Sequence, residues 1–138
     1  MTTNIEIIGD ALREINVVAE TETPSAEQGQ HALRVMNRMI NSWRESDVSF
    51  SYFDQTSTSD TFPGPSWAEQ GVVAVLAIRL APTYGASISP ELGDKADDGY
   101  TMILRKSINE KLDNTDMSHL PVGQGHNGYG RYDIDSDT

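Results

Sequence analysis

The chain contains no cysteine. Disulfide staples and thiolate zinc sites are therefore excluded, and 138 residues suffice to bury a core without them. No run of about 18 apolar residues occurs, so no membrane span is expected. Basic residues are scarce: ten Lys and Arg stand against 21 Asp and Glu, a net charge of −11. Nucleic-acid binders need a cationic footprint that releases counterions from phosphates. The densest basic spot here is Arg105 and Lys106, so specific binding of DNA or RNA is not expected. The start carries Asn4 and Glu6 in place of a basic segment. That argues against a secretory signal, and assembly in the cytoplasm is expected.

What is present is helical patterning. The first predicted helix covers residues 4–16. Thr3 and Glu6 have capping-box spacing, and Ile5, Ile8, Leu12 and Ile15 form one apolar stripe. The second starts at Thr23 and Pro24 and runs to about Glu45, with Leu33, Met36, Met39, Ile40 and Trp43 on one face. The third opens on a second capping box, Ser66 and Glu69, and ends near Pro82. Its segment 71–78 has no charge, which predicts a central helix buried all round. The fourth begins at Ser89 and Pro90 and reaches about Leu112. Leu92, Ala96, Tyr100 and Ile103 are expected to face the core, with Leu104, Ile108 and Leu112 continuing that face.

Two stretches do not fit helices. In 47–66, Val48, Phe50 and Tyr52 alternate with serines, a period of two, followed by a polar run and Phe62-Pro63-Gly64-Pro65. This predicts an extended arm or small hairpin leaving the helical body. Beyond Asp113 apolar content collapses, and residues 117–138 hold four glycines. Such a composition buries too little area to offset chain entropy by itself. The expected fold class is all-α: a four-helix bundle-like body, residues 1–113, with the arm at 47–66 and a C-terminal extension at 114–138 that docks on a partner.

Motifs for chemistry are weak. Gly123-Gln124-Gly125-His126-Asn127-Gly128 matches G-x-G-x-x-G but has neither a strand before it nor a helix after it. Asp133, Asp135 and Asp137 resemble the start of a calcium loop, yet the chain stops before its glycine and glutamate. His31, His119 and His126 lack zinc spacing. No carboxylate pair sits in an apolar setting that would mark a general acid. No catalytic residue, cofactor or metal is expected. The aromatics say more. Phe50, Tyr52 and Phe53 in a short arm, and Leu120, Val122, Tyr129, Tyr132 and Ile134 in the tail, have no cover of their own. They are expected to pack against another chain.

The order of these pieces resembles the head-to-tail adaptor family of short-tailed phages, also called tail accessory, head completion or packaged-DNA stabilisation proteins. Ala11-Leu12-Arg13-Glu14-Ile15-Asn16-Val17 is similar to that family's opening helix. Thr23-Pro24-Ser25 introduces Ala32-Leu33-Arg34-Val35-Met36-Asn37-Arg38-Met39-Ile40-Asn41-Ser42-Trp43, similar to its long second helix. Leu76-Ala77-Ile78-Arg79-Leu80-Ala81-Pro82-Thr83-Tyr84-Gly85 resembles its third helix and Ala-Pro-x-Tyr turn. Leu120-Pro121-Val122-Gly123-Gln124-Gly125-His126-Asn127 looks like the start of its C-terminal extension. This tail is shorter and more acidic than the family's best-known members have.

The resemblance implies a virion protein, not an enzyme. It would form a homo-oligomeric ring, a dodecamer, under the portal protein. The ring would extend the DNA channel, retain the packaged genome until ejection and offer a platform to tail or nozzle proteins. Portal binding is carried onto Leu120, Pro121, Val122, Gly123, Gly125, Asn127, Tyr129, Arg131 and Tyr132. The subunit or tail interface is assigned to Phe50, Tyr52, Phe53 and Phe62. DNA would pass through without specific binding, and the negative charge suits a conduit that must not grip phosphates. Two other readings stay open: a helical adaptor or stopper of a long-tailed phage, and an acidic cytoplasmic regulator that masks a basic partner.

Overall fold

The computed structural model describes residues 1–113. The expected C-terminal extension lies outside the described residues. Four helices account for the body: α1 (Asn4–Glu14), α2 (Ala26–Trp43), α3 (Ser66–Tyr84) and α4 (Pro90–Asp113), with a 3-10 turn at Arg44–Ser46. No strand occurs among the described residues. The helix α3 is the common partner of the other three, and α1 and α2 also touch each other.

Local chemistry sets the helix ends. The Thr3 amide and hydroxyl both donate to the Glu6 carboxylate at 2.8 Å, which closes the start of α1. Those two bonds hold the Glu6 carboxyl below its ordinary value, the amide contributing more than the hydroxyl. At its far end the chain turns at Asn16, whose φ of 61° is left-handed, a region asparagine tolerates. The apolar face of α1 is broader than the predicted stripe. Ile7 and Ala11 are buried beside Ile8 and Leu12, while Ile5 is only half-buried. A helix wedged against both α2 and α3 needs two adjoining faces.

The start of α2 differs from the expectation. Ser25, not Thr23, is the cap. The Gln28 amide donates to Ser25 Oγ at 3.2 Å, and the Ser25 amide donates to Gln28 Oε1 at 2.9 Å. Pro24 stays outside the helix and is buried. Reciprocal bonding satisfies two free amides at once, which a proline in the first turn cannot do. The stripe of Leu33, Met36, Met39, Ile40 and Trp43 is buried as its periodicity requires.

Ser66 opens α3 as its first residue, after Pro65, and Glu69 accepts instead from the Thr2 hydroxyl at 2.9 Å. Pro82 does not end the helix. It sits exposed in the last turn, where its missing N–H forgoes the bond to the Ile78 carbonyl. The true stop is Gly85 at φ 63°. There the Ala86 amide reaches the Ala81 carbonyl at 3.0 Å and the Gly85 amide reaches Pro82 at 3.3 Å. Nor is α3 buried all round, since Val73, Val75 and Ile78 are half-buried.

After the short connection 85–89, α4 returns antiparallel along α3. Ser89 Oγ accepts from the Leu92 amide at 3.1 Å and caps it. The two backbones meet at Gly71 and Gly99. A Cβ on Gly71 would lie 2.8 Å from the Gly99 carbonyl oxygen, and a Cβ on Gly99 would lie 2.6 Å from the Gly71 Cα. The buried face is Leu92, Ala96, Gly99, Ile103 and Ser107, with Tyr100 half-buried on Trp43, ring centroids 5.4 Å apart. The expected continuation through Ile108 and Leu112 fails: they are 40 % and 66 % exposed. Gly71 already lies near the start of α3, so the last turns of α4 run past the end of their partner.

Candidate functional site

The expected interface residues divide in two. Leu120, Pro121, Val122, Gly123, Gly125, Asn127, Tyr129, Arg131 and Tyr132 lie outside the described residues. The other four stand on residues 47–65, and here the expectation of an arm that leaves the body is overturned. The segment is a strap folded across α1 and α2. Tyr52 and Phe62 are buried, with ring centroids 6.0 Å apart. Phe50 is half-buried, edge-on to Tyr52 at 6.4 Å and to Trp67 at 6.1 Å. These three aromatics are covered by their own chain. Only Phe53, at 67 % exposure, points out.

Polar side chains on the helices explain why the strap stays down. Asn37 on α2 acts as a clasp. Its Oδ1 accepts from the Tyr52 hydroxyl and from the Gln55 amide, and its Nδ2 donates to the Gln55 carbonyl at 2.9 Å. One turn on, Asn41 donates to Asp54 at 2.7 Å, and Arg44 donates to the Tyr52 carbonyl. From α1, the buried Asn4 donates to Gln55 Oε1 at 2.9 Å and to the Ser57 carbonyl at 3.0 Å. Gln55 Nε2 returns to the Phe53 carbonyl at 2.7 Å. Burial pushes the Tyr52 phenol up, and the negative charge of Asp54 adds to this.

The strap also finishes α1. A helix start leaves amides without partners. Here the Asn4 amide donates to the Asp60 carbonyl at 2.9 Å and the Ile5 amide to Thr58 at 2.8 Å. The Phe62 amide donates to the Thr2 carbonyl at 2.9 Å, beside a lone bridge between Thr3 and Thr61. The period-two signal at 48–52 was therefore sound as geometry. Val48 and Tyr52 face in and Ser49 and Ser51 face out, but the face they seek is the body of the same chain. The missed signal was the row Asn37, Asn41 and Arg44, polar residues bordering the apolar stripe of α2.

The outer surface offers two further features. A groove of about 480 Å³ between α1 and α3 is lined by Glu6, Asp10, Arg13, Glu14 and Glu69 among others. Arg13 is occupied there by Asp10 at 3.2 Å and by the Ala19 and Glu22 carbonyls at 3.3 and 2.6 Å. The Glu6 carboxyl in this groove is lowered, the opposite of what a general acid requires. The second feature is the outer face of α4, which exposes Met102, Ile108 and Leu112 between charged residues. Among the described residues no group of three His, Cys, Asp or Glu is placed to hold a metal ion, and no helix is long and apolar enough to cross a membrane.

Compared with known proteins, the chain matches no family model and no curated sequence.

Proposed function

We propose that this chain is a head-to-tail adaptor of a short-tailed phage, forming a ring under the portal and passing DNA through its centre. The observation that carries the reading is the order of the resembling segments along the helical body. Residues 11–17 end α1 and its turn, 32–43 complete α2, and 76–85 complete α3 and its glycine stop. A stable helical body with an acidic surface suits a conduit that repels phosphates. Portal contact is assigned to residues 120–132, and Phe53 is the one strap aromatic still offered to a neighbour. Many equivalent weak contacts in a ring add up to a firm joint.

The test is to mix the full chain with its cognate portal and weigh the product by native mass spectrometry. The expected product is a portal carrying one adaptor per subunit. Tyr129→Ser with Tyr132→Ser should abolish that product and leave the helical circular dichroism unchanged. A portal that gains no mass at adaptor concentrations of about 100 μM, far above typical interface dissociation constants, overturns the reading.

A further inference from the structure

Arg34 and Arg38 stand on the outer face of α2, four residues and about 40° apart around its axis. Both are exposed, and neither makes an ion pair among the described residues. Pairing within a helix needs a spacing of three or four. From these two arginines those spacings fall on Gln30, His31, Val35, Asn37, Asn41 and Ser42, with no carboxylate among them. Glu27 and Glu45 share the face but lie seven residues beyond either end, roughly 10 Å along the axis. Asp54 is bonded to Asn41 and pairs with neither arginine. The two like charges therefore repel at a spacing of four, and nothing among the described residues answers them. Arg105 and Lys106 make no such ridge, since adjacent residues diverge by about 100° and Glu110 stands four residues from Lys106.

The groove between α1 and α3 has the converse character. Glu6, Asp10 and Glu14 repeat the step of four along α1, and Glu69 adds a fourth carboxylate from α3. Each carboxylate uses one oxygen within the chain: Glu6 Oε2 on Thr3, Asp10 Oδ1 on Arg13, Glu14 Oε2 on Lys95 and Glu69 Oε1 on Thr2. The other oxygen of each has no hydrogen-bond partner among the described residues. Four carboxylates stand against two bases, Arg13 and Lys95, so the groove keeps a net charge of −2, equal and opposite to the α2 ridge. Half-buried Val73 also lines it, apolar surface on which an arginine stem can lie. These acids are not placed to hold a metal ion. A guanidinium suits them better, because its fork of donors bonds carboxylate oxygens that stand apart.

We infer that Arg34 and Arg38 of one copy dock in the α1–α3 groove of a second copy. Helices α1, α2 and α3 touch pairwise, so the outer face of α2 lies across the body from that groove. A contact between two different faces repeats from copy to copy, and nearly opposite faces close only into a large ring. The inference rests on the ring reading for that closure, and it names the surfaces that join neighbours.

The experiment uses the full chain alone, by sedimentation velocity across about 10–500 μM. Salt of about 0.15 M screens the repulsion between two chains of net charge −11, while groups in direct contact still pair. Wild type should associate beyond a dimer as concentration rises. Arg34→Ala with Arg38→Ala keeps only the groove, and Asp10→Asn with Glu69→Gln keeps only the ridge. Each should be monomeric, its self-association at least about tenfold weaker than wild type, with native circular dichroism. Mixed in equal amounts, the two should form a one-to-one dimer that grows no further, since such a pair holds a single competent contact. The control Arg105→Ala with Lys106→Ala, on α4, should associate like wild type. A wild type that stays monomeric, variants that associate like wild type, a mixture that stays monomeric or grows past a dimer, or a control that falls apart overturns the inference. The portal is absent from this experiment, so the two readings fail separately. A chain that associates here but adds no mass to the portal loses the adaptor role and keeps the contact. One that loads the portal but stays monomeric here keeps the adaptor role and loses the contact.

Discussion

The strap at 47–65 and the second half of α4 invert the usual relation between regularity and burial. The strap has no repeating hydrogen bonds, yet Val48, Tyr52, Gln55 and Phe62 are buried. The end of α4 satisfies its backbone internally, yet Ile108 and Leu112 face outward. Irregular backbone becomes buried only when something else bonds its amides and carbonyls. Asn37, Asn4 and the open amides of α1 do that for the strap. Helical backbone needs no such help, so it can run into solvent beyond the end of its partner. Stability is therefore concentrated in the strap contacts and sparse in the last turns of α4.

The sharpest way to break this contrast is to remove a strap aromatic. Phe62→Ala should cost about 3–5 kcal/mol in urea unfolding, the cost of a large buried ring. A cost near zero would mean that the strap lifts freely. Asn37→Ala follows, at about 1–3 kcal/mol, because it strands the Tyr52 hydroxyl and the Gln55 amide. Its circular dichroism should stay helical while the Trp67 fluorescence shifts, since Phe50 of the strap rests on that ring. Gly99→Ala should cost about 1–3 kcal/mol, as the added methyl group drives the α3 and α4 backbones apart. Leu112→Ser should change stability by less than about 0.5 kcal/mol, and a larger loss would place the end of α4 in the core.

The smallest effect is a dependence on pH. Glu6 is held below its ordinary value by Thr3. A lowered carboxyl adds stability above its unfolded value, and that share is lost as pH falls through the folded one. Glu6→Gln should therefore melt below wild type at neutral pH, and the two curves should converge in acid. Curves that stay parallel down to low pH would show that Glu6 does not titrate as the cap.

Much of the helical frame was legible in the residues. Repeats of three and four located α1, α2 and α4, and an uncharged run located α3. Boundaries were less legible where two signals competed. Ser25 with Gln28 outranked Thr23 with Pro24, since mutual bonding satisfies more amides. Pro82 was overruled by Gly85, whose left-handed turn closes the helix with two hydrogen bonds. The strap was legible as extended chain but not as cover, because its partners are isolated polar residues, Asn4 and Asn37, on distant helices. Periodicity reports which residues share a face and is silent on what that face meets. The same silence misled the reading of Ile108 and Leu112, which keep the helical repeat after the neighbouring helix has ended. Of the expected interface, the structure returns Phe53 to solvent and takes Phe50, Tyr52 and Phe62 into the chain's own packing.

The bonds from the Asn4 and Ile5 amides to Asp60 and Thr58 have a consequence in time. A ribosome adds about 5–20 residues each second. The opening helix therefore waits several seconds in the growing chain before the carbonyls that complete it have been synthesised. Until then its apolar side chains, Ile7, Ile8 and Leu12, have only α2 to pack on, because α3 follows the strap. Slowing translation between residues 15 and 60 would prolong that wait, and rescue by a chaperone would be needed most in that interval.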